Sequence, residues 1–166
     1  MKPIFVSFLL IGFALITSPT VAQQSSVDTV ITSIYESISF TADKDPDYEA
    51  FKNFFIDNGQ LISVSDTSSY TLTPEDYEQM MQKQRQSGAV IAFTEEELYR
   101  KTETYGSIKH VFSTYKTYLE TPDGTETARG INSIQLLKKN GEWKIVSLIW
   151  YEENKTHPLP AMYLPK

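Results

Sequence analysis

The segment from residue 107 to residue 153 constrains the fold most strongly, because it has the pattern of three consecutive β-strands. Pro122-Asp123-Gly124 separates the first strand from the second, and Lys139-Asn140-Gly141 separates the second from the third. Each separator ends in glycine, which adopts the left-handed backbone conformations that tight hairpin turns require. The sequence therefore predicts an antiparallel meander with two three-residue loops.

The register of this meander follows from the loops. If each loop is a type I turn closed by a glycine bulge, Thr121 lies opposite Thr125 and Lys138 lies opposite Glu142. Even-numbered residues of all three strands then share one face, and odd-numbered residues share the other. Apolar residues occur on both faces. We therefore expect helices to cover one face and a lid or partner to cover the other.

Residues 1–22 have the features of a signal peptide. Lys2 supplies a positive start, an apolar run of about 13 residues follows, and Thr20-Val21-Ala22 resembles a small-residue cleavage site. The apolar run is shorter than the roughly 20 residues of a spanning helix, so we expect no membrane span. The sequence contains no cysteine, which excludes a disulfide framework. These features predict a secreted or periplasmic protein.

The rest of the chain has the length of one domain, which we assign to residues 23–153. Residues 154–166 are rich in proline and predict an extended C-terminal tail. The formal net charge of the chain is −6, and no basic cluster accompanies it. This balance argues against a nucleic-acid partner.

The pattern ahead of the meander predicts two helices, a short hairpin, a third helix and one more strand. Apolar residues at helical spacing mark the first helix from Val27 to Ile38, and a second, short helix starts near Asp47. Thr73-Pro74-Glu75-Asp76 has a capping threonine, an early proline and two acids, which is typical of a helix start.

The link between the third helix and the meander is predicted in two parts. Residues 89–94 are expected to be irregular, and residues 97–105 alternate well enough to form a strand. The acidic run Thr94-Glu95-Glu96-Glu97 is expected to be solvated, because uncompensated charges avoid the interior of a protein.

The order of these elements and several local sequences resemble the nuclear transport factor 2-like superfamily, in particular its SnoaL-like (polyketide cyclase-like) members. The similar segments are Ile38-Ser39-Phe40, Pro46-Asp47-Tyr48, Phe54-Phe55-Ile56-Asp57-Asn58-Gly59-Gln60-Leu61-Ile62, His110-Val111-Phe112-Ser113-Thr114-Tyr115, Arg129-Gly130-Ile131-Asn132-Ser133-Ile134-Gln135-Leu136 and Trp143-Lys144-Ile145-Val146-Ser147.

The resemblance implies a cone-shaped α+β, cystatin-like fold, in which a curved mixed/antiparallel sheet wraps around three N-terminal helices. It also implies a pocket on the even-numbered, concave face and a homodimer contact on the odd-numbered, outer face. The expected contact residues are Ser113, Ser133, Ser147, Ile131, Ile145, Ile149 and Trp143. The superfamily contains isomerases, cyclases, epoxide hydrolases, dehydratases and noncatalytic members, so the resemblance selects no activity.

The predicted ligand pocket combines strand residues with aromatic residues of the two helices that would roof it. Its members are Tyr35, Tyr48, Phe51, Phe55, His110, Phe112, Thr114, Asn132 and Trp150. Such a mixture of apolar walls and few polar groups is typical of small-molecule sites. The alternative for the four helix residues is core packing, and for Asn132 it is the satisfaction of backbone groups at a bulge.

His110 is the only candidate base in this predicted pocket, and it is a weak one. Its predicted row partners, Leu136 and Lys144, include no carboxylate to orient the imidazole, so a structural histidine is the alternative. The even-face strand positions hold no aspartate or glutamate, which weakens the prediction of an enzyme. The sequence has no metal-ligand spacing, phosphate loop or nucleophile motif, and it therefore implies no cofactor.

Three functions are compatible with this sequence. We expect an exported domain that binds a small, largely apolar molecule inside the cone. The first alternative is a cofactor-free isomerase, cyclase or hydrolase that uses His110 in the same pocket. The second alternative is a noncatalytic protein-interaction module whose interior is filled by its own side chains.

Overall fold

The computed structural model describes residues 26–166, and the predicted signal peptide lies outside this range. The described part contains three helices and six strands, with a short 3₁₀ turn at Ala161–Tyr163. Helix, helix, hairpin, helix and four further strands follow one another as the sequence predicts. The expected α+β architecture is thereby confirmed.

The three helices pack against one face of the sheet. They are α1 (Val27–Ile38), α2 (Tyr48–Asn53) and α3 (Pro74–Gln86). Ser26, Asp47 and Thr73 cap their N-termini by accepting a hydrogen bond from the backbone N–H three residues later. At α3 the Asp76 carboxylate also accepts the Thr73 N–H, which completes a capping box.

The six strands form one mixed sheet in the order β2-β1-β6-β5-β4-β3. Their bounds are β1 Phe55–Val64, β2 Ser69–Leu72, β3 Ala92–Tyr105, β4 Ile108–Thr121, β5 Gly124–Lys139 and β6 Glu142–Glu152. Strands β1 and β6 are parallel, and the other neighbours are antiparallel. The core lies between the helices and the concave face, where Ile31, Phe51, Val111 and Ile134 are fully buried.

The predicted register between β4 and β5 is wrong by one residue. Thr121 pairs with Gly124 rather than with Thr125, because Pro122 and Asp123 alone form the turn. Each residue of β4 therefore faces a β5 residue one position earlier than expected. As a result, the odd-numbered residues of β4 share the concave face with the even-numbered residues of β5.

The register between β5 and β6 also differs from the prediction. Asn140 and Gly141 have φ angles of 53° and 90°, and this two-residue turn pairs Lys139 with Glu142. A bulge then shifts the pairing again beyond Gln135, so that Asn132 lies opposite Trp150. The two shifts together return the even-numbered residues of the second half of β6 to the concave face.

These register changes correct the predicted outer face. Ser113, Ile145 and Trp143 were expected there, but all three are buried, and Trp143 and Ile145 belong to the hydrophobic core. Ile131 is among the residues that remain on the outer face. With it remain Ser133, Ser147 and Ile149.

The C-terminal segment crosses the outer face of the sheet. The Tyr163 ring packs against the Phe112 ring with a centroid distance of 5.0 Å. The Thr114 hydroxyl donates a hydrogen bond of 2.6 Å to the carbonyl oxygen of Tyr163, and the Thr114 side chain is buried. Within residues 26–166, no helix combines the length and apolar character that a membrane crossing requires.

Candidate functional site

A cavity of about 400 Å³ lies between the helices and the concave face of the sheet. This volume is in the range of small-molecule sites. Seven aromatic residues line it: Tyr35, Phe51, Tyr70, Tyr77, Phe93, Tyr115 and Trp150. Aliphatic side chains and methionines complete most of the wall, among them Ile34, Leu61, Met80, Met81 and Leu148. The cavity is therefore largely apolar.

Four of the nine predicted pocket residues line this cavity. They are Tyr35, Phe51, Asn132 and Trp150. Tyr48 and Phe55 are buried in the adjoining core instead, and the Phe55 ring packs edge-on against Phe51 with a centroid distance of 5.2 Å. Phe55 is also the first residue of β1 rather than part of the second helix.

The other three predicted pocket residues, His110, Phe112 and Thr114, lie on the outer face of the sheet. His110 Nε2 is 3.0 Å from the Ser133 hydroxyl oxygen, and its ring packs edge-on against Phe112. The cause is the one-residue register shift between β4 and β5, which reverses the face that even-numbered β4 residues occupy. His110 therefore cannot act as a base inside the cone.

Several cavity residues were not predicted from the sequence, and Glu95 is the one among them that receives a hydrogen bond from Asn132. Its Oε1 atom accepts a hydrogen bond of 3.0 Å from the Asn132 Nδ2 atom. Burial disfavours the charged carboxylate and raises the pKa of Glu95 to about 7, while the hydrogen bond from Asn132 acts in the opposite direction. The carboxyl group is thus poised to gain or lose a proton near neutral pH.

The expectation that residues 94–97 are solvated is wrong for Glu95 and Glu97. Strand β3 begins at Ala92 rather than at residue 97, so the alternation of a strand already applies to this run. Glu97 accepts a 2.5 Å hydrogen bond from the Ser113 hydroxyl, and it forms an ion pair with Arg100. The sequence pattern that indicates this burial is the alternation starting at Phe93, which places Glu95 and Glu97 on the same face of β3 as that phenylalanine.

A continuous chain of hydrogen bonds runs from Glu95 to Glu97. Asn132 Nδ2 donates to Glu95 and also to the Tyr35 hydroxyl oxygen at 3.0 Å. The Tyr35 hydroxyl lies 2.8 Å from the Ser113 hydroxyl. Because the Ser113 hydroxyl donates its single proton to Glu97, the Tyr35 hydroxyl is the donor in its hydrogen bond with Ser113. Each hydroxyl and amide in the chain is therefore held in one orientation.

Two ion pairs of Arg100 connect the Glu97 end of this hydrogen-bond chain to helix α1. Arg100 donates to Glu97 through Nε at 2.8 Å and to the Asp28 carboxylate through a terminal nitrogen at 2.7 Å. Asp28 lies in the first turn of α1, where an acid also favours the helix dipole. The polar side chains of the cone are thereby tied to both the sheet and a helix.

Tyr35 and Tyr115 remain neutral at physiological pH. Burial and the nearby Glu95 carboxylate raise the pKa of Tyr35 well above its usual value, and the same two causes, joined by Glu152, raise that of Tyr115. Both phenols can therefore serve as hydrogen-bond donors. Gly130 gives the Tyr115 ring its space, since a Cβ at that position would lie 2.5 Å from the hydroxyl oxygen.

The charged residues of the lining are all acidic. Glu126 and Glu152 join Glu95 along the cavity wall, and no lysine, arginine or histidine from residues 26–166 lines it. That described range also contains no group of three or more side chains arranged to ligate a metal ion.

No protein-family model and no curated protein sequence matches this chain. Solved structures match it, among them a putative scytalone dehydratase from Novosphingobium aromaticivorans, with a TM-score of 0.60 and 9% identity over 77% of this chain and 82% of that one. A protein of unknown function with a cystatin-like fold from Nostoc punctiforme has a TM-score of 0.56 and 11% identity over 78% of this chain and 90% of that one.

A third match is an NTF-2-like protein of unknown function from Silicibacter pomeroyi, with a TM-score of 0.53. It is 12% identical, and the alignment covers 76% of this chain and 92% of that one. At these identities the likeness concerns the fold and carries no activity from one protein to another. The chain therefore shares the fold of these cystatin-like and NTF-2-like proteins.

Proposed function

We propose that the cavity inside the cone binds a small, largely apolar molecule. The observation that supports this proposal is the cavity of about 400 Å³, whose lining includes seven aromatic residues. Glu95 and Asn132 contribute polar atoms to the same lining. Apolar surface provides the affinity of such a site, and the sparse polar groups orient the ligand.

A neutral fluorescent probe tests this proposal. N-phenyl-1-naphthylamine should bind the wild-type protein with an increase in fluorescence. Ala128, a cavity residue on β5, can be changed to tryptophan to fill the space, and Ala128→Trp should abolish the increase. Gln135→Trp, at an exposed position on the same strand, is the matched control and should bind as the wild type does. Equal binding by Ala128→Trp, with both variants folded, would contradict the proposal.

A second candidate function is acid–base catalysis by Glu95. The favouring observation is that this carboxyl group faces the cavity with a pKa of about 7, and general acids and bases work best when their pKa lies near the ambient pH. Asn132 orients the carboxylate, and Glu95 thus replaces His110 as the candidate base of a cofactor-free isomerase or cyclase.

Deuterium exchange of a bound ketone tests this second candidate without a known substrate. The α-protons of 2-tetralone should exchange faster in D₂O when the protein is present. Glu95→Gln should lose this acceleration by about a hundredfold, the usual contribution of a positioned base. Glu96→Gln, the same change on the neighbouring exposed residue, should retain it. Equal rates for the two variants would exclude Glu95 as the base.

We also propose that the protein forms a homodimer through the outer face of the sheet. Ile131 and Ile149 remain half-buried there, beside Ser133 and Ser147, and they offer an apolar patch to a second copy. Ile131→Glu should convert the dimer to a monomer in sedimentation experiments, whereas Tyr105→Glu at an exposed strand end should not. A dimer that survives Ile131→Glu would place the contact elsewhere.

Export is the remaining part of the proposal, and it is supported by the features of residues 1–22 in the sequence. The mature protein recovered from its host should begin at Gln23. A protein that retains Met1 and stays inside the cell would contradict export.

A further inference from the structure

The acidic residues of the cavity lining indicate that the ligand carries a positive charge as well as apolar surface. Glu95, Glu126 and Glu152 line it, and the part of the chain from residue 26 to 166 contributes no basic residue to the lining. Glu126 and Glu152 have no ion-pair partner within that range. Glu95 lies among the aromatic side chains, while Glu126 and Glu152 line the cavity at exposed positions. The three carboxylates give the cavity a negative potential, which repels anions and attracts cations, and Glu95 contributes most because solvent screens the other two.

The aromatic walls favour the same sign of charge. Tyr35, Tyr77, Phe93, Tyr115 and Trp150 all line the cavity, and the faces of aromatic rings carry a negative electrostatic potential. Ammonium groups are attracted to such faces, and the attraction is stronger when they are desolvated. Rings and carboxylates therefore act together on a positively charged ligand.

Tyr115 gives an independent indication that a polar ligand group belongs in this space. Its side chain is only 4% exposed and lines the cavity, yet its hydroxyl makes no hydrogen bond with any residue of the range 26–166. No buried side-chain nitrogen or oxygen atom of the described residues lacks a hydrogen-bond partner, so the Tyr115 hydroxyl is open to the cavity and can bond with a polar group there. The Glu95 and Glu152 carboxylates are both close enough to Tyr115 to act on it electrostatically.

Building on the proposed function, we infer that the cavity selects an apolar molecule that carries a positively charged nitrogen, of the arylalkylammonium class, over its neutral isostere. The hydrocarbon part contacts the aromatic and aliphatic walls. The ammonium group lies near Glu95, where it offsets the unfavourable enclosure of the carboxylate. The Tyr115 hydroxyl oxygen is available as an additional acceptor.

Two probes of the same shape separate charge from apolar contact. Benzyltrimethylammonium and neopentylbenzene differ in one central atom, nitrogen or carbon, and each can be tested by displacement of N-phenyl-1-naphthylamine at about pH 8, where Glu95 is mostly ionised. The cation should bind wild-type protein at least about tenfold more tightly than the hydrocarbon. Glu95→Gln should reduce this ratio by about fivefold or more, with the hydrocarbon affinity unchanged.

Glu96→Gln is the matched control for this experiment, because it makes the same change one residue along β3 at an exposed site. It should leave the ratio as in the wild type. Equal affinities for the two probes, or a ratio that Glu95→Gln leaves intact, would overturn the inference while the proposed apolar site stands. If the fluorescent probe binds no better to the wild type than to Ala128→Trp, the proposed function itself fails.

Discussion

Glu95 on β3 and Asn132 on β5 meet inside the cone through a 3.0 Å hydrogen bond, although 37 residues separate them in sequence. The bond crosses over β4, which lies between the two strands in the sheet. Asn132 is 3% exposed and also donates to Tyr35, so it connects the carboxylate with the helix layer. This pair supplies two of the polar groups of a cavity that aromatic and aliphatic side chains line for the most part.

The stability of the protein should depend on the titration of Glu95. Burial raises its pKa from 4.5 to about 7, so the folded state binds the proton more tightly than the unfolded state does. Protonation of Glu95 therefore contributes to the free energy of unfolding. This contribution is complete below about pH 4.5, the pKa of the unfolded state, and it is lost as the pH rises to about 7. The loss amounts to roughly 3 kcal/mol at most.

Glu95→Gln removes this titration and reveals its size. In urea denaturation the variant should gain stability relative to the wild type as the pH rises from about 4.5 to 8, by roughly 1–3 kcal/mol. Glu96→Gln should show no such gain. A constant difference between Glu95→Gln and the wild type at all pH values would show that the carboxylate is not desolvated.

Asn132→Ala should destabilise the fold and shift the titration of its partner. The substitution takes the donor away from both Glu95 and Tyr35, which should cost about 1–3 kcal/mol. Because the hydrogen bond from Asn132 lowers the pKa of Glu95, its loss should raise that pKa above about 7. Carboxyl ¹³C NMR measures the shift, and Ser133→Ala on the outer face is the control. A lowered pKa would contradict the assigned hydrogen bond.

Tyr163→Ala should weaken the attachment of the C-terminal segment to the sheet. Its ring covers Phe112, and its carbonyl group accepts the Thr114 hydroxyl. Loss of the ring should lower the free energy of unfolding by roughly 1–3 kcal/mol in urea denaturation. Met162→Ala, next to it and 64% exposed, should stay within about 0.5 kcal/mol of the wild type. Equal effects of the two changes would show that the segment does not rest on Phe112.

Gly130→Ala should deform the cavity wall. The added Cβ would lie 2.5 Å from the Tyr115 hydroxyl oxygen and would also contact the Tyr151 carbonyl group. Overpacking of this kind should cost more than about 2 kcal/mol of stability. Tyr115→Phe in the same chain should recover only part of the loss, because it removes the hydroxyl oxygen but leaves the Tyr151 carbonyl oxygen and the ring carbon Cζ of residue 115, which is 2.6 Å from the added Cβ. A Gly130→Ala protein with wild-type stability would show that this region is looser than described.

The helices and the order of the elements along the chain could be predicted from the sequence because their signals are local. The apolar spacing in α1 and the cap at Thr73 each lie within one turn or two of the chain, and both features are found as predicted. Glycine and asparagine marked the hairpins, yet they do not distinguish a two-residue turn from a three-residue loop. One residue of difference at Pro122-Asp123 moved His110 to the opposite face.

The start of β3 was not accessible in the same way. The first residues of β3, from Ala92 onward, pair with the last residues of β4, and Phe93 also exchanges two backbone hydrogen bonds with Phe40, at 2.7 and 3.0 Å. Local composition around Glu95 is acidic and favours a solvated loop. The pairing of β3 with β4 and the hydrogen bond from Asn132 direct the Glu95 side chain into the cavity, and neither contact is visible in the local sequence.

A crystal structure of the mature protein with N-phenyl-1-naphthylamine tests the central claim most directly, because it shows where an apolar ligand lies. Density for the probe is expected inside the cone, against Tyr115 and Trp150 and within reach of Glu95. Density on the outer face of the sheet beside Phe112, or a cavity closed by its own side chains at saturating probe, would contradict it.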